Sequence, residues 1–419
     1  MTRTPRALRM LTLCVWPLLQ PCTANADAIL DWNIVSLKTT AAAAFNPPLE
    51  SRSLAIVHAA MFDAVNSILR EFHPYAVSLD APRGTSAEAA VAAAAHFALV
   101  QLYPDQRTAV DAAYADSLGR IPDGPPKTNG ISLGEAVASK MLTARATDGA
   151  AAAITARYTP GTGPGVWIPT PPGFVPALDP GWGSVHPFVM EDASQFRPGA
   201  PPSLTSRLYR RDFDELKQIG SSASTARTQE QSDVARFWVA TGPQNWNPAA
   251  RQVAVARGLS LVENARLFAL LNLAGADAFI AAWDAKFAHN QWRPVTAIRA
   301  AASDGNEATE EDSSWTPLIV TPPFPDYIAG HTTYAGAAEK VLEHVFGKQP
   351  GLLIRLTSPS APGVVETFSS FRAMSDSVVD ARVWGGIHWR TSCERGRTVG
   401  EEIGRYAVRR MLKPIRERG

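Results

Sequence analysis

The chain has 419 residues, of which 46% are hydrophobic and 19% charged. That much apolar material builds a large core and excludes disorder as the overall state; at roughly 100–200 residues per domain it fits two domains or one large helical one. Forty basic residues against 39 acidic ones leave a net charge of +1 with no basic block, so the electrostatic footprint of a nucleic-acid binder is missing.

Arg3, Arg6 and Arg9 precede the apolar run Met10–Leu19, and Ala24-Asn25-Ala26 then supplies small residues for cleavage. This is the layout of a secretory signal peptide, too short to span a bilayer. Cleavage is expected after Ala26, giving an exported protein, periplasmic or secreted, of residues 27–419. Cys14 and Cys22 leave with the leader. Gln20-Pro21 is not the small pair a lipid-attachment site needs before Cys22. The mature chain keeps Cys393 alone, a buried inert thiol by expectation, and has no internal disulfide. A protein of this size can rely on its core instead.

From Leu49 to about Gly149 helix follows helix. Ser51–Ile68 carries Leu54, Val57, His58, Met61, Phe62 and Val65 at helical spacing, and alanine-rich Ser86–Tyr103 has Thr85 and Ser86 as candidate N-caps and Pro104 as its stop. Eleven prolines between Pro160 and Pro202 then forbid periodic structure over 158–202. Trp167, Trp182 and Phe188 within that stretch point to an ordered excursion over the body of the protein rather than a solvated linker. Further helices are expected at Glu230–Ala240, Pro248–Asn272, Ala276–Arg293, Thr332–Phe346, Glu366–Trp384 and Glu394–Leu412. Period-two alternation is scarce and no mature segment reads as a membrane span. The expectation is an all-α fold, a single domain of about ten helices over 27–419.

Nucleophile-elbow, Walker A, dinucleotide, His-Glu-x-x-His and Cys-x-x-Cys motifs are absent from the sequence. The chemistry gathers in three pieces between residues 283 and 392. In the first, Trp283, Lys286, Asn290 and Arg293 recur on one face of a helix that Pro294 should end. Two cations two turns apart gain nothing structurally; they suit an anion between them, although a solvated basic edge has the same pattern. In the second, the proline-rich approach Pro322–Pro325 leads to Gly330-His331-Thr332 at a helix start. Free N–H groups and the helix dipole make an anion site there, and His331 can donate or accept a proton. In the third, Gly385-Gly386 breaks a helix so that Arg382 and His388 can face one cavity. Arg382 as a helix cap and His388 as a core residue is the structural alternative. Together the pieces supply the donors for a tetrahedral oxyanion.

This ordered set resembles the superfamily of vanadium-dependent haloperoxidases and type 2 phosphatidic-acid phosphatases, whose signature is Lys-x6-Arg-Pro, Pro-Ser-Gly-His and Ser-Arg-x5-His. Lys286 and Arg293-Pro294 match the first block, Gly330-His331 half of the second, and Arg382 and His388 the third. The resemblance runs by motif from about Phe237 to Met411, and the rest is compatible with the paired four-helix bundles of those haloperoxidases. It implies that Lys286, Arg293, Gly330 and Arg382 bind the oxygens of vanadate, that His388 ligates the metal through Nε2, and that His331 is the acid–base residue. Trp283 and Phe324 resemble the aromatics flanking the halide site of fungal haloperoxidases.

The haloperoxidase branch then implies vanadate as cofactor, with hydrogen peroxide, halide and a small organic acceptor as partners. Lys286 would polarise bound peroxide, and halide attack would release hypohalous acid. A soluble exported acid phosphatase would use the same cage, with His388 as the phosphohistidine and His331 protonating the leaving group. A non-catalytic oxyanion-binding relative is the third reading. Three positions depart from the pattern: Ile328-Ala329 stand for Pro-Ser, Ala381 for the serine before Arg382, and Ser392 for the aspartate that in many members orients the axial imidazole. Each missing hydrogen bond to a charged group is worth about 1.5–3 kcal/mol. Asp233 is the candidate carboxylate partner of His331.

Overall fold

The computed structural model describes residues 27–43 and 46–415; the signal peptide read at residues 1–26 lies outside them. Among the described residues there are fourteen α-helices and one two-stranded hairpin. The all-α expectation holds, and the count of about ten is low. Helices of six residues such as Ala150–Thr155 (α6) and Pro294–Arg299 (α11) are shorter than the window over which helical periodicity can be read.

The N-terminal half is built from α1 (Ala28–Ala41), α2 (Pro47–Leu69), α3 (Ala87–Leu102), α4 (Arg107–Gly119) and α5 (Pro125–Arg145). Ser86 caps α3 by accepting the Ala89 N–H at 3.1 Å. After α6, regular structure gives way until α7 (Arg207–Ile219), apart from a single 3-10 turn at Trp182–Ser184. Trp167, Trp182 and Phe188 of this stretch are buried. Asp277 fixes it by accepting the consecutive N–H groups of Phe188, Val189 and Met190 at 2.6–2.8 Å. Asp63 on α2 does the same for Tyr75, Ala76 and Val77 at 2.7–2.9 Å.

The second half runs α8 (Gln229–Phe237), α9 (Gly242–Arg257), α10 (Leu261–His289), α11, α12 (Gly330–Phe346), β1 (Ile354–Ser358), β2 (Ala361–Phe368), α13 (Phe371–Trp384) and α14 (Arg390–Arg410). Several boundaries differ from the sequence reading: α9 starts at Gly242 with Pro248 inside it, α14 at Arg390, and two differences are larger. The helix expected over Pro248–Asn272 breaks at Gly258, which takes a left-handed φ of 65°. Ser260 and Glu263 then form a capping box that starts α10, and α10 continues through Gly275 to His289. Gly275 is tolerated mid-helix because the Tyr334 ring lies where its Cβ would be, 2.3 Å away. The helix expected from Glu366 begins only at Phe371, capped by Ser370; residues 366–368 belong to β2, which pairs antiparallel with β1 so that Ile354 faces Phe368. Five residues of alternation in β1 are too few to stand out in the sequence.

One packed group is α2 with α3 and α5, another is α12 with α13 and α14, and α10 packs against both α2 and α12. By length and composition α10 could cross a membrane, but 94% of its most apolar window is buried inside the protein. It is the central core helix. The α12–α14 seam is a near contact of backbones: a Cβ at Gly400 would lie 1.9 Å from the Thr333 carbonyl oxygen. That seam locks the helix beginning at Gly330-His331 to the helix that follows His388.

Candidate active site

α10 presents Trp283 and Lys286 one turn apart near its end, both buried. Asn290 then stops it in a left-handed conformation (φ 49°, ψ 38°). Arg293 is therefore not on the face of α10, as the spacing suggested. It is the N-cap residue of α11, because Pro294 is accepted as the first residue of a new helix rather than the last of the old one. A tight turn brings the guanidinium back to the same place. Its Nε donates to the Phe324 carbonyl and its Nη1 to the Ile387 carbonyl, each at 2.7 Å.

Gly330 and His331 open α12, whose N-cap Ala329 offers no side-chain cap. The first-turn N–H groups are thus left for a ligand. Arg382 comes from the last turn of α13 and donates to the Trp238 carbonyl. His388 follows the Gly385-Gly386 turn. Trp283, Phe324, Gly330, His331, Arg382 and His388 all line one cavity of about 220 Å³, whose wall continues through Val239, Ile319 and Val320. The rings of Trp283 and Phe324 are 4.8 Å apart, and Lys286 Nζ lies 4.9 Å from the Phe324 centroid. Lys286 itself donates to the carbonyls of Pro325 and Asp326, both at 2.9 Å.

The residue that sequence reasoning missed is Asp326. It is fully buried, and its Oδ1 lies 2.9 Å from His388 Nδ1 and 3.8 Å from Arg293 Nη1. The position on the helix after His388 where the sequence pattern leads one to expect a carboxylate holds Ser392, whose Oγ donates to the Asp326 carbonyl oxygen at 3.2 Å. Asp326 comes instead from the approach to Gly330, four residues upstream. Asp233 is not the partner of His331: it accepts from Gln229 at 2.8 Å and sits 3.6 Å from Arg236 on α8. The carbonyls of Ala240 and Val239 face the His331 imidazole and favour its charged form. Cys393 is buried among Trp292, Ala329 and Trp389, and burial pushes its thiol pKa well up.

The electrostatics ask for an anion. Lys286, Arg293 and Arg382 are buried cations with one carboxylate, Asp326, among them. Burial holds the Lys286 ammonium well below its usual pKa, assisted by the Arg293 charge, and lowers Arg293 and Arg382 to about 10. Burial and the neighbouring cations hold both imidazoles well below the ordinary histidine value. Burial lifts Asp326 to about 6 against the pull of Arg293 and Lys286. Arg293 Nη2 and Arg382 Nε are buried donors without a hydrogen-bond partner; His331 Nε2 and the Asp326 carboxylate oxygens are buried without one as well. Unsatisfied donors of this kind cost free energy until an acceptor arrives, and a tetrahedral oxyanion supplies several at once.

Comparison with known proteins agrees with this picture. The family model of the VCPO second helical-bundle domain matches residues 266–417, which hold every residue named for the oxyanion. The vanadium chloroperoxidase of Curvularia inaequalis is 26% identical over 499 aligned residues, covering 91% of this chain and 81% of that one. Among solved structures, a bacterial vanadium-dependent iodoperoxidase superposes with a TM-score of 0.81 at 26% identity, covering 93% of this chain and 98% of its own. A bacterial vanadium-dependent chloroperoxidase shares the fold with a TM-score of 0.69 at 19% identity, over 87% of this chain and 92% of its own. The chain is thus similar to the vanadium-dependent haloperoxidases over most of its length, and residues 266–417 match their second helical-bundle domain.

Proposed function

We propose that this chain is an exported vanadium-dependent haloperoxidase, oxidising halide with hydrogen peroxide to hypohalous acid. The carrying observation is the buried cationic surplus with two unpaired guanidinium donors, Arg293 Nη2 and Arg382 Nε, around His388. Those donors fit vanadate, with Lys286, Arg293, Arg382 and the N–H groups at Gly330 holding its oxygens. His388 would be the metal ligand through Nε2, which faces Arg293 Nη1 at 3.1 Å, with Asp326 Oδ1 2.9 Å from Nδ1 on the other side of the ring. Bound vanadate supplies Lewis-acid activation of peroxide. Lys286 Nζ lies 4.9 Å from the Phe324 centroid and 5.9 Å from the Trp283 ring, where a halide would approach between amine and aromatic wall. His331 moves the proton at its imidazole nitrogen when peroxide binds. Hypohalous acid, or a small organic acceptor, meets the apolar mouth at Val239, Ile319 and Val320.

The test is bromination of a dimedone-type acceptor with hydrogen peroxide, with and without orthovanadate, repeated with iodide and chloride. A phosphomonoester assay on the vanadate-free protein runs beside it. Vanadate-dependent halogenation supports the reading. Phosphate release without halogenation moves the protein to the acid phosphatases, and binding of oxyanion without either turnover makes it a non-catalytic relative. Export rests on the leader at residues 1–26; N-terminal sequencing of the mature protein should begin at Asp27.

A further inference from the structure

Behind the cavity wall lies a buried carboxylate that the proposed reaction does not use. Glu50 is on α2, one turn after Pro47, and Pro47 lines the cavity beside Val239. Glu50 is 8% exposed and accepts from three neutral donors: Thr241 Oγ1 at 2.6 Å, Gln244 Nε2 at 2.5 Å and Thr40 Oγ1 at 3.1 Å. Thr241 is the N-cap residue of α9, yet its hydroxyl caps nothing there; it points to Glu50 instead. That departs from the ordinary role of an N-cap threonine, whose hydroxyl accepts a first-turn N–H. The four residues Trp238–Thr241 so anchored carry the carbonyls that engage the site. Trp238 accepts from Arg382, and Val239 and Ala240 face His331. Two oxyanion-site side chains on different helices are thus aimed by one loop, and that loop is held from behind by Glu50.

We infer that Glu50, through Thr241, is a positioning residue for Arg382 and His331, setting how well the site takes a tetrahedral oxyanion. The inference rests on the oxyanion-site reading above. Buried partners that orient ligand-contacting groups typically matter 10- to 100-fold in affinity.

The experiment uses the full chain without vanadate and titrates orthovanadate and, separately, inorganic phosphate by calorimetry, with the His331 ring resonances followed by NMR. Glu50→Gln and Thr241→Val should each weaken both oxyanions about tenfold and shift the His331 signals, while Thr241→Ser restores wild-type affinity. Asp63→Asn is the control: it disturbs an equally buried carboxylate on the same helix that holds residues 75–77, and should lower thermal stability without changing oxyanion affinity. If Glu50→Gln does not fold, Thr241→Val carries the test, since it removes only a hydroxyl. Wild-type oxyanion affinity and unmoved His331 signals in Thr241→Val would overturn the positioning role. Wild-type protein that binds neither oxyanion overturns the oxyanion reading and, with it, the affinity effect. The His331 signals still report separately whether Glu50 orients that ring.

Discussion

Asp326 Oδ1 stands 2.9 Å from His388 Nδ1, with both side chains buried. The close approach places the carboxylate beside Nδ1, while Nε2 faces Arg293 Nη1 at 3.1 Å, so a ligand at Nε2 would meet the guanidinium as well. The carboxylate comes from the approach loop, and Ser392 on α14 donates to the Asp326 carbonyl oxygen. Asp326→Ala should weaken orthovanadate binding about 10- to 100-fold, and adding Ser392→Asp should recover a large part of it. Calorimetric titration of the single and double variants checks this. A single Asp326→Ala protein with wild-type affinity would sink the assignment.

Ala329 leaves α12 without a side-chain cap and the site without one hydroxyl. Ala329→Ser should add up to ~1 kcal/mol of stability as an N-cap and tighten vanadate by about 1.5–3 kcal/mol through a charged hydrogen bond. Thermal melts and vanadate titration read the two effects separately. A loss of both would mean that the packed surroundings of Ala329 cannot admit the oxygen.

The two histidines should separate in their effects. His388→Ala should abolish vanadium retention after gel filtration, measured by elemental analysis. His331→Ala should keep the metal and lose about 100-fold or more in halogenation rate. Equal vanadium content in wild type and His388→Ala would remove His388 from the axial position.

Stability should depend on pH through Asp63 and Asp277, both raised by burial from 3.8 to about 6. A raised carboxyl pKa means that the folded state binds more protons than the unfolded one between about pH 4 and 6. These two groups therefore favour folding below that window and lose the contribution as pH rises through it, by up to roughly 3 kcal/mol each. The destabilisation by Asp277→Asn in urea should accordingly be larger at pH 4.5 than at pH 7. The reverse order would show that the three N–H donors, rather than burial, dominate its titration.

The α12–α14 seam gives a prediction on packing. Gly400→Ala drives a methyl into the Thr333 carbonyl and should cost about 1–3 kcal/mol or more. It should also weaken phosphate binding, since α12 carries Gly330 and His331. Gly119→Ala, at the end of α4 with nothing within 4 Å of the new Cβ, should be neutral or stabilising by up to ~1 kcal/mol. Paired denaturant titrations distinguish them.

What the sequence made legible follows from range. Lys286, Gly330, His331, Arg382 and His388 could be gathered because each sits beside a local punctuation mark, a glycine or a helix end, at a fixed spacing. For Arg293 the spacing points to the face of α10, whereas a turn at Asn290 delivers its guanidinium beside Phe324 and the His388 ring. Asp326 and the carbonyls of residues 238–240 were not legible. Their partners are distant along the chain, and main-chain acceptors leave no mark in a sequence. The hairpin at 354–368 was hidden by its brevity, and the run from Leu261 to His289 looked like two helices because an interior glycine reads as a break until Tyr334 is seen to fill its place.

The placement of sulfur has a bearing on durability. Cys393 has no exposed surface, and Met61, Met141, Met190 and Met374 are 0–4% exposed. Thiols and thioethers are oxidised according to access and, for cysteine, thiolate content, and Cys393 is both sealed and held as the thiol. These five sulfur atoms are thus kept from contact with diffusing oxidant, whereas Met411 is partly exposed, so peroxide should modify Met411 before any of them.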